Sequence, residues 1–108
     1  MSEVITNNNI KCTIALAALQ HVIDPEIGLN IVDLGLVYQI DFDEEGKEIF
    51  ISMTLTTQYC PMGASIRDGA ERALQNAFPD YFIHLELVFD PPWRPDRISE
   101  EGQAFLNQ

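Results

Sequence analysis

The feature that most constrains this chain is a change of hydrophobic period at Leu55-Thr56-Thr57-Gln58-Tyr59-Cys60-Pro61-Met62-Gly63. Upstream, Ile49, Ile51, Met53 and Leu55 alternate with Phe50, Ser52, Thr54 and Thr56, the period of a strand with one apolar face. Downstream, Ile66, Ala70, Ala73, Leu74 and Ala77 recur at helical spacing, a narrow stripe suited to close packing on a sheet. A strand must therefore give way to a helix here. Pro61 suits the first helical position, where its missing N–H has no partner to lose, so Cys60 falls at or next to the N-cap. The open N–H groups and positive dipole end of a helix favour the thiolate, which is both the nucleophile and the metal ligand.

The other elements follow from the same periodicities. Leu36, Tyr38, Ile40 and Phe42 alternate with Val37, Gln39 and Asp41, and Asp43-Glu44-Glu45-Gly46-Lys47 makes the turn of an antiparallel hairpin with the strand at 49–55. Cys12, Leu16, Leu19 and Ile23 form the stripe of a first helix that begins near Ile10. Asp24-Pro25-Glu26-Ile27-Gly28 is an acidic turn that stops it. A third strand sets Ile83, Leu85, Leu87 and Phe89 against Phe82, His84, Glu86 and Val88. Ser99 is suited to cap a short last helix, with Phe105 and Leu106 as its anchors. Trp93, in a proline-stiffened segment, is expected to pin that segment to the body. The expected fold class is α+β: a two-layer domain with a three-stranded sheet, hairpin plus third strand, covered on one face by two helices in the order α-β-β-α-β, then a short C-terminal helix. Residues 1–9 read as a disordered tail and 10–108 as a single domain.

Charge and motif content narrow the function. A net charge of -11, with six Lys and Arg in no cluster, argues against nucleic acid and against an anionic membrane surface. The acidity serves solubility or a basic partner. The start of the chain has neither the basic residues nor the apolar stretch of a secretory signal, and no run is long enough to span a bilayer, so the cytoplasm is the expected location. Cys12 lies on an apolar helix stripe and reads as a core residue. Phosphate-binding glycine loops, the zinc-protease helix motif, Cys-x-x-Cys and the serine-hydrolase elbow are all missing from the sequence. Nothing sets His21 or His84 beside Cys60, so the reading is of a protein that is not an enzyme. Asp33, alone in an apolar run, is either a carboxylate that satisfies nearby backbone groups or a charged group near Cys60.

Four segments together resemble one family: Asp24-Pro25-Glu26-Ile27-Gly28; Ile31-Val32-Asp33-Leu34-Gly35-Leu36-Val37-Tyr38; Thr56-Thr57-Gln58-Tyr59-Cys60-Pro61; and Trp93-Arg94-Pro95-Asp96-Arg97-Ile98-Ser99. They look like the metal–sulfur cluster assembly domain family, which includes the bacterial SufT proteins, the PaaD subunits of phenylacetate degradation and eukaryotic cytosolic iron–sulfur assembly factors. The resemblance runs over roughly residues 11–106. It implies a small α+β fold, a role in maturing iron–sulfur proteins and an important cysteine at Cys60. Asp33, Glu26 and Thr57 fall on motif positions as accessory groups.

One thiolate cannot fill the ligand set of a [2Fe–2S] cluster. Cys60 as a metal ligand therefore implies iron or an iron–sulfur cluster held transiently, shared across a homodimer, completed by small thiols or carboxylates, or held with Asp33 or Glu26. The expected partners are iron–sulfur assembly proteins and client apo-proteins. The alternative is a non-catalytic adaptor that docks assembly machinery onto clients, including PaaD-like service to one oxygenase, through the acidic surface or the exposed sheet face.

Overall fold

The computed structural model describes residues 4–57 and 63–107. Its elements are β1 (Ile5–Thr6), α1 (Asn9–Leu19), β2 (Val37–Asp43), β3 (Glu48–Met53), α2 (Gly63–Ala77), β4 (Phe82–Leu87), a 3-10 turn (Pro95–Arg97) and α3 (Glu100–Leu106). The four strands form one mixed sheet in the order β1-β2-β3-β4. The hairpin β2–β3 is antiparallel, whereas β1 runs parallel to β2 and β4 parallel to β3. A parallel neighbour needs a crossover, and the two long helices supply it. The molecule is thus two β-α-β units joined back to back through the central hairpin.

The three-stranded α-β-β-α-β arrangement is corrected by this sheet, which has a fourth strand, β1, ahead of the first helix. Two residues are too few to show a period, so only tertiary pairing reveals the strand. Ile5 and Thr6 pair with Gln39 and Ile40. The Asn7 side chain then continues the ladder as a backbone would, its amide donating to the Phe42 carbonyl at 3.0 Å and its oxygen accepting from the Phe42 N–H at 2.9 Å. Asn8 caps α1, its side-chain oxygen accepting from the Lys11 N–H at 3.0 Å.

The core lies between the sheet and the two long helices. Cys12, Ala15 and Leu19 of α1 and Ile66, Ala70 and Leu74 of α2 face Ile40, Phe42, Ile49, Ile51 and Met53 of the hairpin. The first-helix stripe holds through Leu19, but the helix stops there and Ile23 is half exposed. On β2 the register slips between Val37 and Gln39, a bulge in which one extra residue opposes β3. The bulge reverses the expected alternation. Val37 turns into the core, and Tyr38 is left half-buried, with its hydroxyl donating to the Pro91 carbonyl at 2.8 Å. Outside the core, Lys11 binds both Glu44 of the hairpin turn and the Tyr81 hydroxyl. The Glu44 hydrogen bond, then that of Tyr81, raises the Lys11 pKa, and Lys11 holds that of Glu44 down.

Two turns use glycine with positive φ, and they differ in what surrounds them. Gly28 (φ +83°) has open space where a side chain would stand. Gly35 (φ +78°) has the Arg97 carbonyl oxygen 2.5 Å from an added Cβ. Gly28→Ala is expected to cost only the conformational term, about 1 kcal/mol. Gly35→Ala adds a backbone collision and should cost about 3 kcal/mol or more in urea unfolding. Equal losses at the two positions would show that the close approach at Gly35 is unimportant.

Candidate functional site

The candidate site lies at one end of the sheet, where β2 begins and β3 and β4 finish. The Thr54 N–H donates to the Leu36 carbonyl at 2.8 Å, and the Val88 N–H to the Met53 carbonyl at 2.8 Å, so three chain segments meet there. Leu55 is buried and packs close to Gly63, whose added Cβ would stand 2.8 Å from the Leu55 Cδ1. The start of α2 is therefore at the same end. Thr57 is exposed on the segment leaving β3. Cys60 and its expected N-cap position lie outside the described residues.

Asp33 sits in the tight turn that leads into β2. Its backbone N–H donates to the Asn30 Oδ1 at 2.9 Å, and its carboxylate accepts from the Asn30 Nδ2 at 2.7 Å and from the Ser99 hydroxyl at 2.8 Å. The carboxylate is half-buried with neutral donors on both oxygens. That is the satisfied polar arrangement weighed for it from the sequence, although the donors are two side chains, not backbone groups. Glu26 lies elsewhere on the same loop. The Asp24–Gly28 turn is closed by the Asp24 side chain accepting from the Glu26 N–H at 2.9 Å and by the Gly28 N–H donating to the Asp24 carbonyl at 2.7 Å. Asp24 is buried in that turn, and Glu26 is exposed. The backbone bridge between Ile23 and Asn30 joins this turn to the one bearing Asp33.

The strongest feature of this end was not visible as a site in the sequence. Three consecutive carbonyls of the turn, Asp33, Leu34 and Gly35, are each taken by the C-terminal segment. The Ser99 N–H donates to Asp33 at 2.8 Å, the Trp93 indole N–H to Leu34 at 2.6 Å and the Arg97 Nε–H to Gly35 at 2.8 Å. Trp93 is thus the pin expected of it. The Arg97 guanidinium also lies over the Tyr38 ring, 4.2 Å from its centroid, which fixes a permanent cation beside the turn. Ser99 caps α3 while holding Asp33, its hydroxyl accepting from the Gly102 N–H at 3.0 Å. Gly102 allows α3 to sit against Leu29 and Ile98. Phe105 and Leu106, the expected anchors, are partly exposed instead, so α3 is held by its first turn.

For thiol chemistry the two cysteines separate. Cys12 is buried, and burial pushes its thiol above the ordinary range, outweighing a hydrogen bond with Thr6 that acts the other way. It is a poor thiolate with no access for metal. Among the described residues no group of three or more His, Cys, Asp or Glu side chains is placed to hold a metal ion, and no helix is long and apolar enough to cross a membrane. His21 is exposed just past the end of α1, and His84 pairs with Glu48 at 3.0 Å on the open sheet face.

Comparison with known proteins gives this end a context. Residues 14–82 match the family model described as iron–sulfur cluster assembly protein. The match takes in the Asp33 turn, the hairpin, Cys60 and α2, and it ends before Trp93. The chain is 42% identical to the Fe-S protein maturation auxiliary factor YitW of Bacillus subtilis over 91 residues, covering 84% of this chain and 88% of that protein. It is 42% identical to the Fe-S protein maturation auxiliary factor SufT of Staphylococcus aureus over 85 residues, 79% of this chain and 96% of that one. Among solved structures it resembles a domain of unknown function from Bacillus anthracis, with a TM-score of 0.83, 34% identity and coverage of 93% and 98% of the two chains.

The geometry of the Asp33 turn generates a direct test. Asp33→Ala leaves the Ser99 hydroxyl and the Asn30 amide without their acceptor and should cost about 2–3 kcal/mol. The Ser99 amide, bonded to the Asp33 carbonyl, should then exchange with solvent much faster than in the unaltered chain. Unchanged exchange at Ser99 would mean that the carboxylate does not hold the C-terminal segment.

Proposed function

The chain belongs to the iron–sulfur cluster assembly protein family, and on that premise we propose that it is a maturation auxiliary factor that carries iron or an iron–sulfur cluster transiently, with Cys60 as its thiolate ligand. The observation that carries this reading is the burial of Cys12. The sequence has two cysteines. One is enclosed in the core with its thiol form favoured, which leaves Cys60 to supply any thiolate. Cys60 stands in the sequence between Thr57 and Gly63, the segment that joins β3 to α2.

The cluster is cargo in this reading. A single thiolate leaves most of the ligand set to be filled from outside, by a second copy, a small thiol or the donor and client proteins. Weak, shared ligation lets cargo leave, which a carrier requires. The described carboxylates fit supporting roles of different kinds. Glu26 is exposed and makes no hydrogen bond or ion pair through its carboxylate among the described residues, so it is free to meet a metal or a partner. Asp33 acts through its hold on Ser99 and keeps the end of the sheet in shape. Arg97 adds a fixed positive charge at the same end, over the Tyr38 ring. On this reading the protein is a non-catalytic auxiliary factor, as the names of its relatives suggest.

Anaerobic reconstitution with iron and sulfide tests the reading. The unaltered chain should show a charge-transfer band and bound iron. Cys60→Ser should lose both while keeping its unfolding midpoint, and Cys12→Ala should keep the band. Bound iron that survives Cys60→Ser at full occupancy overturns the ligand assignment. The two thiols also separate in alkylation. At pH 8 Cys60 should react with iodoacetamide in the folded protein, and Cys12 only after denaturation.

A further inference from the structure

The sheet has one covered and one open face. Side chains on the open face fall in rows across the strands: Ile5, Gln39, Ser52 and Glu86; Asp41, Phe50 and His84; Asp43, Glu48 and Phe82. The proline-rich segment crosses the first row, where Pro91 and Arg97 line a cavity of about 350 Å³ with Tyr38 and Ser52. The other two rows are open. They combine exposed aromatic surface with carboxylates. Phe82 is 71% exposed and Phe50 45%. Phe50 stacks on the His84 ring at 4.8 Å.

β4 borders this surface and forms the edge of the sheet. Phe82 and Val88 donate their N–H groups inward to Lys47 and Met53 of the β3 side, so the backbone groups of Ile83, Leu85 and Leu87 point outward. Only one of these outward groups has a described partner, the Leu85 carbonyl, which accepts from the Arg67 guanidinium at 3.2 Å. The strand has no proline, no lysine and no bulge, the devices that usually protect an edge. A cavity of about 320 Å³ straddles the edge, lined by Phe50, Ser52, His84, Glu86 and the Arg67–Glu71 pair among others.

We infer that the β4 edge and the adjoining aromatic–acidic face form a docking surface for an extended, basic segment of a partner protein, which adds to the sheet as a fifth strand. The outward N–H and C=O groups other than the Leu85 carbonyl supply the strand pairing, Phe82 and Phe50 the apolar contact, and Glu86, with Glu48 beside His84, the partners for Lys or Arg, Glu71 being paired with Arg67 at 3.5 Å. Charge selects this occupant over a second copy. Each chain carries -11, so edge-to-edge pairing of two copies brings two strongly acidic bodies and their Glu86 carboxylates together, whereas a basic segment is attracted. Cys60 takes no part, so the surface stands or falls separately from the ligand assignment.

A ten-residue peptide of alternating Lys and Val is the probe, with the Glu–Val peptide as its control, read by amide NMR of the full chain. The Lys–Val peptide is expected to shift the Ile83, Leu85 and Leu87 amides and slow their exchange, with binding that weakens as salt rises. Phe82→Ser and Glu86→Lys change exposed side chains and should keep the fold. Each should weaken the affinity about tenfold, while Glu101→Lys, the same charge change on α3, should leave it unaltered. Equal binding of the two peptides overturns the proposal, as does no binding at all. Shifts centred on α1 and α2, affinity that ignores Phe82 and Glu86, or a chain that proves to be a dimer through β4 do the same.

Discussion

Three successive carbonyls, Asp33, Leu34 and Gly35, hold this molecule together at the end that bears the candidate site. A tight turn buried at the mouth of a sheet exposes backbone acceptors that water does not reach, and each must find a donor. Here the donors arrive from some sixty residues further along, on Ser99, Trp93 and Arg97. The fourth carbonyl in the series, Leu36, is taken by Thr54 at the exit of β3. The turn thereby joins the C-terminal segment to the strand that leads to Cys60. Gly35 makes the approach feasible, since any side chain there would overlap the Arg97 backbone.

This arrangement brings together segments that are scattered through the chain. The Asp-Pro-Glu turn, the Asp33 turn and the Trp93–Ser99 segment are far apart in sequence. In the fold the first is joined to the second by the Ile23–Asn30 bridge, and the second to the third by the carbonyl series and by Asp33 itself. Asp33 is the polar member of the joint. Its carboxylate organises Asn30 and Ser99, and Ser99 in turn starts α3. A charged residue in an apolar run serves shape here.

The opposite end and the outer edge have a different physical character. The hairpin turn is secured by the Lys11–Glu44–Tyr81 cluster, a partly buried network that links α1, the hairpin and the approach to β4. The β4 edge next to it is left open, with aromatic rings and carboxylates on one surface. The candidate site and the open edge thus lie at separate places on the molecule.

The sequence by itself determined the central hairpin, the two long helices, the burial of Cys12 and the pinning role of Trp93. These depend on local period and on residue character, since alternating Ile49, Ile51 and Met53 bury one face of a strand wherever the rest of the chain goes. The family too was legible, because its motifs are contiguous words. Only the tertiary structure decided the rest. Ile5 and Thr6 are a strand because β2 offers them an edge, and two residues carry no period of their own. Tyr38 leaves the core because a bulge shifts the count by one, which no alternation pattern encodes. Phe105 and Leu106 stay partly exposed because Gly102 and Ser99 already fix α3 by its first turn. Asp33 finds its second donor, Ser99, across a separation of sixty-six residues. A carboxylate in a sequence shows that it needs partners, and only the folded chain shows which groups are close enough to serve.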